Sequence, residues 1–171
     1  MPEFPPLDTS GIQSGTGYLQ PLVIIKPEAE TRTNTAAVAR DRDLIVPINP
    51  QAVMYWKSTL FFYGGAAAAL GDVDVQWTTP AAPTSGGLLA EYLDIAAVNQ
   101  NIVVPNVAVA YNVATYQIFS GVINYVFTAR FEGMLVNGAN GGYFSLNWAQ
   151  NVVNAAPSTL MRGSRLECWF Q

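Results

Sequence analysis

The 171-residue sequence contains no histidine and only one cysteine, Cys168. Without histidine, the chain lacks the commonest general base, the commonest metal ligand and every Ser-His or Cys-His catalytic pair. A single cysteine excludes both an intramolecular disulfide and a thiolate zinc site. Glycine-rich phosphate loops and the Gly-x-Ser-x-Gly nucleophile elbow are also absent. We therefore predict that the protein is not an enzyme and that it uses no cofactor or metal.

Charged residues are scarce, at 12% of the sequence with a net charge of −4. Soluble monomers typically carry about a quarter charged residues, so the deficit favours a surface that is partly covered in an assembly. A surface rich in Asn, Gln, Ser and Thr is the alternative explanation. No Lys or Arg lies between Lys57 and Arg130, and binding to nucleic acids or anionic membranes requires clustered positive charge. We expect neither kind of partner.

Long apolar segments are missing too. No run of about 18 unbroken apolar residues occurs, so no transmembrane helix is predicted. The first ten residues, MPEFPPLDTS, contain neither a basic region nor an apolar core, so no signal peptide is predicted. We expect the protein to be made and kept in the cytoplasm, or to leave it by a route that needs no signal peptide, such as cell lysis.

Carboxylates are the remaining groups with catalytic or metal-binding potential. Asp72 and Asp74 share one face of a predicted strand, about 7 Å apart, which suits an inverting glycosidase. An outward polar face explains the same pattern and is preferred. Asp41 and Asp43 could contribute to a calcium site, but no further acidic ligands cluster nearby, so we interpret them as part of a solvated turn. Cys168 is expected to be a buried small hydrophobe.

Residues 1–30 differ in composition from the rest of the chain. They hold five prolines, which are incompatible with helix and with central strands, and more apolar residues than a disordered tail usually has. We predict an extended N-terminal arm over residues 1–30 and a β domain over residues 31–171, with a disordered tail as the alternative to the arm. The apolar residues expected to bind a partner surface are Phe4, Leu7, Ile12, Tyr18 and Leu19.

Alternating apolar and polar residues predict strands from residue 44 onward. The clearest patterns lie in residues 54–63, 72–78 and 122–150, and Asn137-Gly138 favours a tight turn within the last of these. We predict that residues 122–150 form a long β-hairpin. Residues 88–98 fit either a short helix or a strand. With about eight strands and no long helices, the pattern predicts an all-β fold, an antiparallel β-sandwich or jelly roll.

Aromatic side chains make up 12% of the sequence. Most fall on the inward phase of the predicted strands, where core packing accounts for them. Four fall on the opposite phase and could form an oligomer interface, because interface centres are enriched in aromatic residues; a second sheet packed on that face is the alternative. Arg130 and Glu132 share the outward face of one strand and predict a surface or intersubunit ion pair. The four candidate interface residues are Tyr55, Phe61, Tyr63 and Trp169.

Several short motifs occur in order between residues 26 and 170. The most distinctive are Trp148-Ala149-Gln150-Asn151 and the later Gly163-Ser164. Before them come Asp41-Arg42-Asp43-Leu44 and the strand end at residues 60–66. In these motifs the chain resembles a β-rich virion structural domain of tailed bacteriophages, found in head-decoration, head-fibre and tail-associated proteins. The motifs are structural, so the resemblance implies no catalytic residues.

The resemblance implies a component of the phage virion that is often a homotrimer. The leading hypothesis is a capsid decoration protein, which binds the major capsid protein on the outside of the head through the arm and stabilises the shell. The alternative is a tail or fibre tip module that binds a glycan or protein on the host surface. A carbohydrate-active enzyme that uses Asp72 or Asp74 is a third hypothesis from another class.

Overall fold

The computed structural model describes residues 20–64, 73–94, 100–106, 115–118 and 126–171. In these residues all regular secondary structure is β-strand. The twelve strands are β1 (Leu22–Ile25), β2 (Glu30–Arg32), β3 (Ala39–Ile48), β4 (Val53–Gly64), β5 (Val73–Thr78), β6 (Ser85–Asp94), β7 (Gln100–Asn106), β8 (Thr115–Ile118), β9 (Val126–Val136), β10 (Gly142–Gln150), β11 (Ser158–Leu160) and β12 (Arg165–Phe170).

The strands form two antiparallel sheets. Sheet A has eight strands, with the order β1-β12-β4-β9-β6-β7, and β11 pairs with both β4 and β2. Sheet B has four strands in the order β3-β10-β5-β8. The inward faces of both sheets contribute to one hydrophobic core. The predicted all-β antiparallel sandwich is therefore confirmed.

Eight consecutive strands pair as the two arms of one long antiparallel ribbon. Strand β3 pairs with β10, β4 with β9, β5 with β8, and β6 with β7. The ribbon folds over on itself, so that β10 also pairs with β5 and β9 with β6. Strands β12 and β11, followed by β1 and β2, then extend sheet A beyond β4.

The core follows directly from the alternation in the sequence, because successive side chains of a strand point to opposite faces of the sheet. Val73, Val75 and Trp77 of β5 are buried, as predicted. The ring of Trp77 stacks on Phe144 with centroids 5.1 Å apart, and lies 4.6 Å from Trp56. Such aromatic pairs contribute about 0.5–1.5 kcal/mol each beyond the burial of their area.

The predicted hairpin over residues 122–150 is wrong. Strand β9 lies in sheet A and β10 in sheet B, and the two do not pair. Residues 137–141 instead carry the chain from one sheet to the other. Gly138 serves close approach here, since a Cβ on it would overlap the carbonyl oxygen of Ala82. The alternation of apolar and polar residues cannot distinguish the two arrangements. A hairpin and a loop that crosses between the sheets leave the same side chains of β9 and β10 facing the core.

Three loops that cross between the sheets lie together at one end of the sandwich, which we call the arch end: residues 49–52, 79–84 and 137–141. Buried Asn137 joins them. Its Nδ2 donates to the carbonyl oxygens of Asn49 and Asn140, both at 2.8 Å. Its backbone N–H donates to Ala52, also at 2.8 Å, and its carbonyl oxygen accepts from the Thr84 hydroxyl at 3.4 Å.

The structure also bears on the predicted arm boundary and on the helix-or-strand alternative for residues 88–98. Residues 22–25 were assigned to the arm, but they form β1 and pair with β12 from Leu22 opposite Cys168 to Ile25 opposite Arg165. The sandwich therefore begins before the predicted boundary at residue 30, because this proline-flanked segment is apolar enough to join an edge. Of the two possibilities for residues 88–98, strand β6 accounts for 88–94, and residues 95–98 lie outside the described part.

Candidate interaction site

Strands β1 and β2 form one edge of sheet A and are separated by residues 26–29. Their partners β12 and β11 are separated by residues 161–164. The two connecting segments lie side by side. The N–H of Lys26 donates to the carbonyl oxygen of Ser164 at 2.8 Å, and the N–H of Gly163 donates to that of Lys26 at 3.0 Å. The Ser164 hydroxyl accepts from the N–H of Phe61 at 3.0 Å. Gly163 has φ of +87°, which glycine tolerates at little cost. These bonds fix the backbone at Lys26.

The ammonium of Lys26 is completely buried and meets three carboxylates. Its Nζ lies 2.7 Å from Asp41, 2.8 Å from Asp43 and 3.3 Å from Glu30. Burial alone lowers the pKa of Lys26, but the hydrogen bonds to Asp41 and Asp43 outweigh it, so that the pKa is raised above its ordinary value. The amine therefore stays protonated at neutral pH, and it connects the edge of sheet A to β3 of sheet B.

The interpretation of Asp41 and Asp43 as part of a solvated turn is wrong. Both lie in β3, and Asp41 is fully buried. One oxygen of Asp41 binds Lys26, and the other accepts from the N–H groups of Asp43 and Leu44 at 2.9 and 2.8 Å. The counter-charge comes from Lys26, fifteen residues earlier, so inspection of the local sequence could not find it.

Arg32 of β2 completes this cluster, which we call the lysine anchor: Lys26, Glu30, Arg32, Asp41 and Asp43. The guanidinium binds Glu30 at 2.6 Å and donates to the carbonyl oxygens of Ala39 at 2.9 Å and of Trp148. It also lies 4.2 Å from the centre of the Trp148 ring, within range of a cation–π interaction. The anchor thus ties the terminal edge of sheet A to two strands of sheet B.

The second feature is the outer face of sheet A, opposite the core. On three adjacent strands, β12, β4 and β9, outward residues line up in rows across the sheet. An apolar row holds Trp169, Tyr55 and Met134. The next row holds Glu167, Lys57 and Glu132, and the row after it holds Arg165, Thr59 and Arg130. Beyond them, Phe61 lies opposite Thr128, and Tyr63 opposite Val126.

This face exposes several large apolar side chains to solvent. Its exposed apolar side chains include Val23, Ile25, Tyr55, Val126 and Met134, each between 39% and 58% accessible. Apolar side chains exposed together on one face are typical of interaction surfaces. The exposed apolar side chains lie beside charged side chains that form ion pairs within the same face, such as Lys57 with Glu132 at 3.3 Å.

All four candidate interface residues, Tyr55, Phe61, Tyr63 and Trp169, lie on this outer face of sheet A. Tyr55 and Trp169 are in contact, with ring centroids 5.6 Å apart. Sheet B packs against the opposite side, so it does not account for these aromatic residues. Their role in an oligomer stays a prediction.

The other candidate residues lie in the core, on the outward phase of β5 or outside the described residues. Cys168 is buried, and burial raises the pKa of its thiol to about 12, so its expected role as a small core hydrophobe is confirmed. Asp74 is on the outward phase of β5, whereas Asp72 lies outside the described residues. The arm residues Phe4, Leu7, Ile12, Tyr18 and Leu19 also lie outside them.

Within the described ranges, no group of three or more His, Cys, Asp and Glu side chains is arranged to hold a metal ion. Over the same residues there is no helix of the length and apolarity needed to cross a membrane.

No family model matches the sequence. No curated protein matches it either. Among solved structures, the chain is similar to chains in two structures of infectious bursal disease virus. For the Gx strain the identity is 14% over 99% of this chain and 45% of that one, with a TM-score of 0.23. For the Gt strain the values are 10%, 88%, 37% and 0.20. The chain spans less than half of each, and TM-scores this low carry no argument.

Proposed function

We propose that the protein is a structural subunit of a virus particle, and specifically a decoration protein on the outside of a tailed-bacteriophage head. The observation that carries the proposal is the lysine anchor. It fixes the edge at which residues 1–19 join the sandwich, because buried Lys26 is bonded through its backbone to sheet A and through its ammonium to sheet B. A force applied through residues 1–19 would therefore act on both sheets of the sandwich.

The strand order supports the proposal at the level of fold. Strands β3-β10-β5-β8 and β4-β9-β6-β7 follow from one folded ribbon, which is the arrangement of a jelly roll, and jelly rolls are common in viral capsid and lectin domains. A fold does not fix a function, so this analogy adds to the anchor and does not replace it.

In the proposed complex, the apolar residues of the N-terminal arm bind the major capsid protein. Phe4, Leu7, Ile12, Tyr18 and Leu19 supply the contacts, and the sandwich stays on the outer surface. Binding that occurs only in the assembled shell stabilises the shell by mass action. An area of about 800 Å² on each partner is typical of a specific complex. The resemblance implies a homotrimer for the bound form, and this remains a prediction.

Immunogold labelling of the virions that carry this chain tests the location. Antibodies raised against the purified protein are expected to label the head surface. Label on the tail alone would reject decoration in favour of a tip module that binds the host surface, and the absence of label would reject the virion role altogether.

Deletion of residues 1–19 tests the arm, because it leaves β1 and Lys26 in place. The shortened protein is expected to keep the thermal unfolding transition of the full chain but to lose binding to heads that lack the decoration. A second variant, which replaces Phe4, Leu7 and Ile12 by Ser in the full-length chain, should lose binding in the same way. Normal binding by both variants would contradict attachment through the arm.

A further inference from the structure

We propose that the outer face of sheet A binds the same face of a second copy of this chain, with the two copies related by a two-fold axis. The axis runs parallel to the sheet and perpendicular to its strands. This inference depends on the geometry of the exposed face alone, so it holds whether or not the protein is part of a virion.

Two neighbouring rows on this face carry opposite net charge. In the first row, Glu167 and Glu132 flank Lys57; in the second, Arg165 and Arg130 flank Thr59. Each row contains one residue from β12, one from β4 and one from β9. The two negative positions of the first row are therefore on the same strands as the two positive positions of the second.

A two-fold axis that passes between these rows places each row over the other row of the second copy. Glu167 then faces Arg165 of the second copy, and Glu132 faces Arg130 of the second copy. The reverse contacts follow by symmetry, as in any isologous interface. The contact therefore contains four complementary charge pairs, formed by only four residues of each copy.

The alternative two-fold axis, parallel to the strands and over β4, gives the opposite result. It would place Glu167 over Glu132 of the second copy and Arg165 over Arg130 of the second copy. Like charges that face one another are unfavourable and act against a wrong partner orientation. The charge pattern thus selects one of the two face-to-face arrangements.

The apolar rows agree with the selected arrangement. The row of Trp169, Tyr55 and Met134 lies one step beyond the glutamate row, and Phe61 with Thr128 lies one step beyond the arginine row. The same axis brings these two rows together. Tyr55 is 39% and Met134 47% exposed in the single chain, so pairing covers apolar surface at both ends of the charged centre.

The dimensions suit a weak dimer. From Tyr55 to Tyr63 the face is about 27 Å long, and the four strands from β1 to β9 are about 19 Å wide. The two faces together cover on the order of 1,000 Å², which is at the lower limit for a specific interface. Because the central contacts are charge pairs, the association should weaken as salt rises.

Sedimentation velocity of the purified full-length chain over a range of concentrations tests the proposal. We expect a monomer–dimer equilibrium. The variant Arg165→Glu should raise the dissociation constant about tenfold, because two attractive pairs across the axis become repulsive; it also removes the Arg165–Glu167 ion pair of 3.0 Å within each chain. The double variant Arg165→Glu/Glu167→Arg restores complementary pairs across the axis and should recover the affinity of the wild type.

Arg40→Glu, an exposed charge reversal on sheet B, is the matched control and should leave the equilibrium unchanged. Circular dichroism checks that every variant is folded. A chain that stays monomeric up to ~100 µM would overturn the proposal, and so would a single reversal without effect or a double variant that fails to recover. A stable trimer insensitive to these substitutions would overturn it too, and would leave the decoration role intact.

Discussion

The Nζ atom of Lys26 lies 2.7 Å from a carboxylate oxygen of Asp41, and neither side chain is accessible to solvent. Between them they connect the last edge of sheet A to an edge of sheet B. An ion pair removed from water in this way costs desolvation energy, and breaking it by removal of one partner is more costly still. The stability of the protein should therefore depend strongly on this single amine.

Lys26→Met tests that dependence. The substitution keeps most of the side-chain volume but leaves Asp41, Asp43 and Glu30 without their common counter-charge. We expect a loss of about 3–5 kcal/mol in the free energy of unfolding, measured by urea denaturation at neutral pH. The control is Lys57→Met, which removes an exposed pair with Glu132 and should cost no more than about 1 kcal/mol. Equal effects of the two substitutions would contradict a structural role for the anchor.

The lysine anchor also predicts how stability varies with pH. Burial alone raises the pKa of Glu30, but Arg32 and Lys26 outweigh it and hold the pKa below its ordinary value of 4.5. That contribution is present above pH 4.5 and is lost as pH falls through the lowered pKa. The raised pKa of Lys26 contributes below pH 10.5, and this contribution is lost as pH rises through the higher value.

Urea midpoints should therefore be highest between these limits. Glu30→Gln is expected to make the decline in acid shallower, and Lys26→Met to make the decline in alkali shallower. Superimposable pH profiles for the wild type and both variants would show that the anchor does not contribute to the pH dependence.

Asn137→Ala tests the arch end. It removes two hydrogen bonds from a buried amide to the carbonyl oxygens of Asn49 and Asn140. Loss of such partners costs about 1–3 kcal/mol. The matched control, Asn140→Ala, removes an exposed side chain and keeps the carbonyl that Asn137 binds, so it should change stability by less than about 0.5 kcal/mol. Thermal unfolding of the three proteins provides the comparison.

Two glycines should respond differently to alanine, for different reasons. At Gly138 a Cβ would meet the backbone of Ala82, which cannot rotate away, so Gly138→Ala should cost about 3 kcal/mol. At Gly163 no atom lies within 4 Å, and the cost comes from φ of +87° alone, about 1–2 kcal/mol. A larger loss of stability for Gly163→Ala than for Gly138→Ala would contradict the close packing of the loops at the arch end.

Cys168 should be unreactive in the native protein. Its thiol is buried and burial raises its pKa to about 12, so almost no thiolate exists at pH 8. Alkylation by iodoacetamide, followed by mass spectrometry, should be at least about 100-fold slower in buffer than in concentrated urea. Rapid alkylation of the native protein would show that β12 separates easily from its neighbours β1 and β4.

Much of the strand pattern could be predicted, because alternation reports which side chains face the core. Val73, Val75 and Trp77 were placed correctly for that reason, and so was the outward phase of Tyr55. The pairing of strands could not be obtained in the same way. Residues 126–136 and 142–150 alternate as a hairpin would, yet they belong to different sheets.

The lysine anchor was missed for a related reason. Lys26 lies in a segment that resembles a proline-rich arm, and Asp41 in a polar stretch that resembles a turn. Burial of either charge is unfavourable alone and becomes acceptable only when the fold brings them together. A local search for clustered acids cannot find a site whose central charge comes from another strand.

The pairing of β1 with β12 determines at which end of the sandwich residues 20 and 171 lie. Leu22 lies opposite Cys168, and the N–H of Gln171 donates to the carbonyl oxygen of Val53 at 2.9 Å. Residues 20 and 171 therefore leave the sandwich at the arch end. A support held by residues 1–19 would face the three arches, and a label fused after Gln171 would be attached beside that support and not at the far tip of the domain.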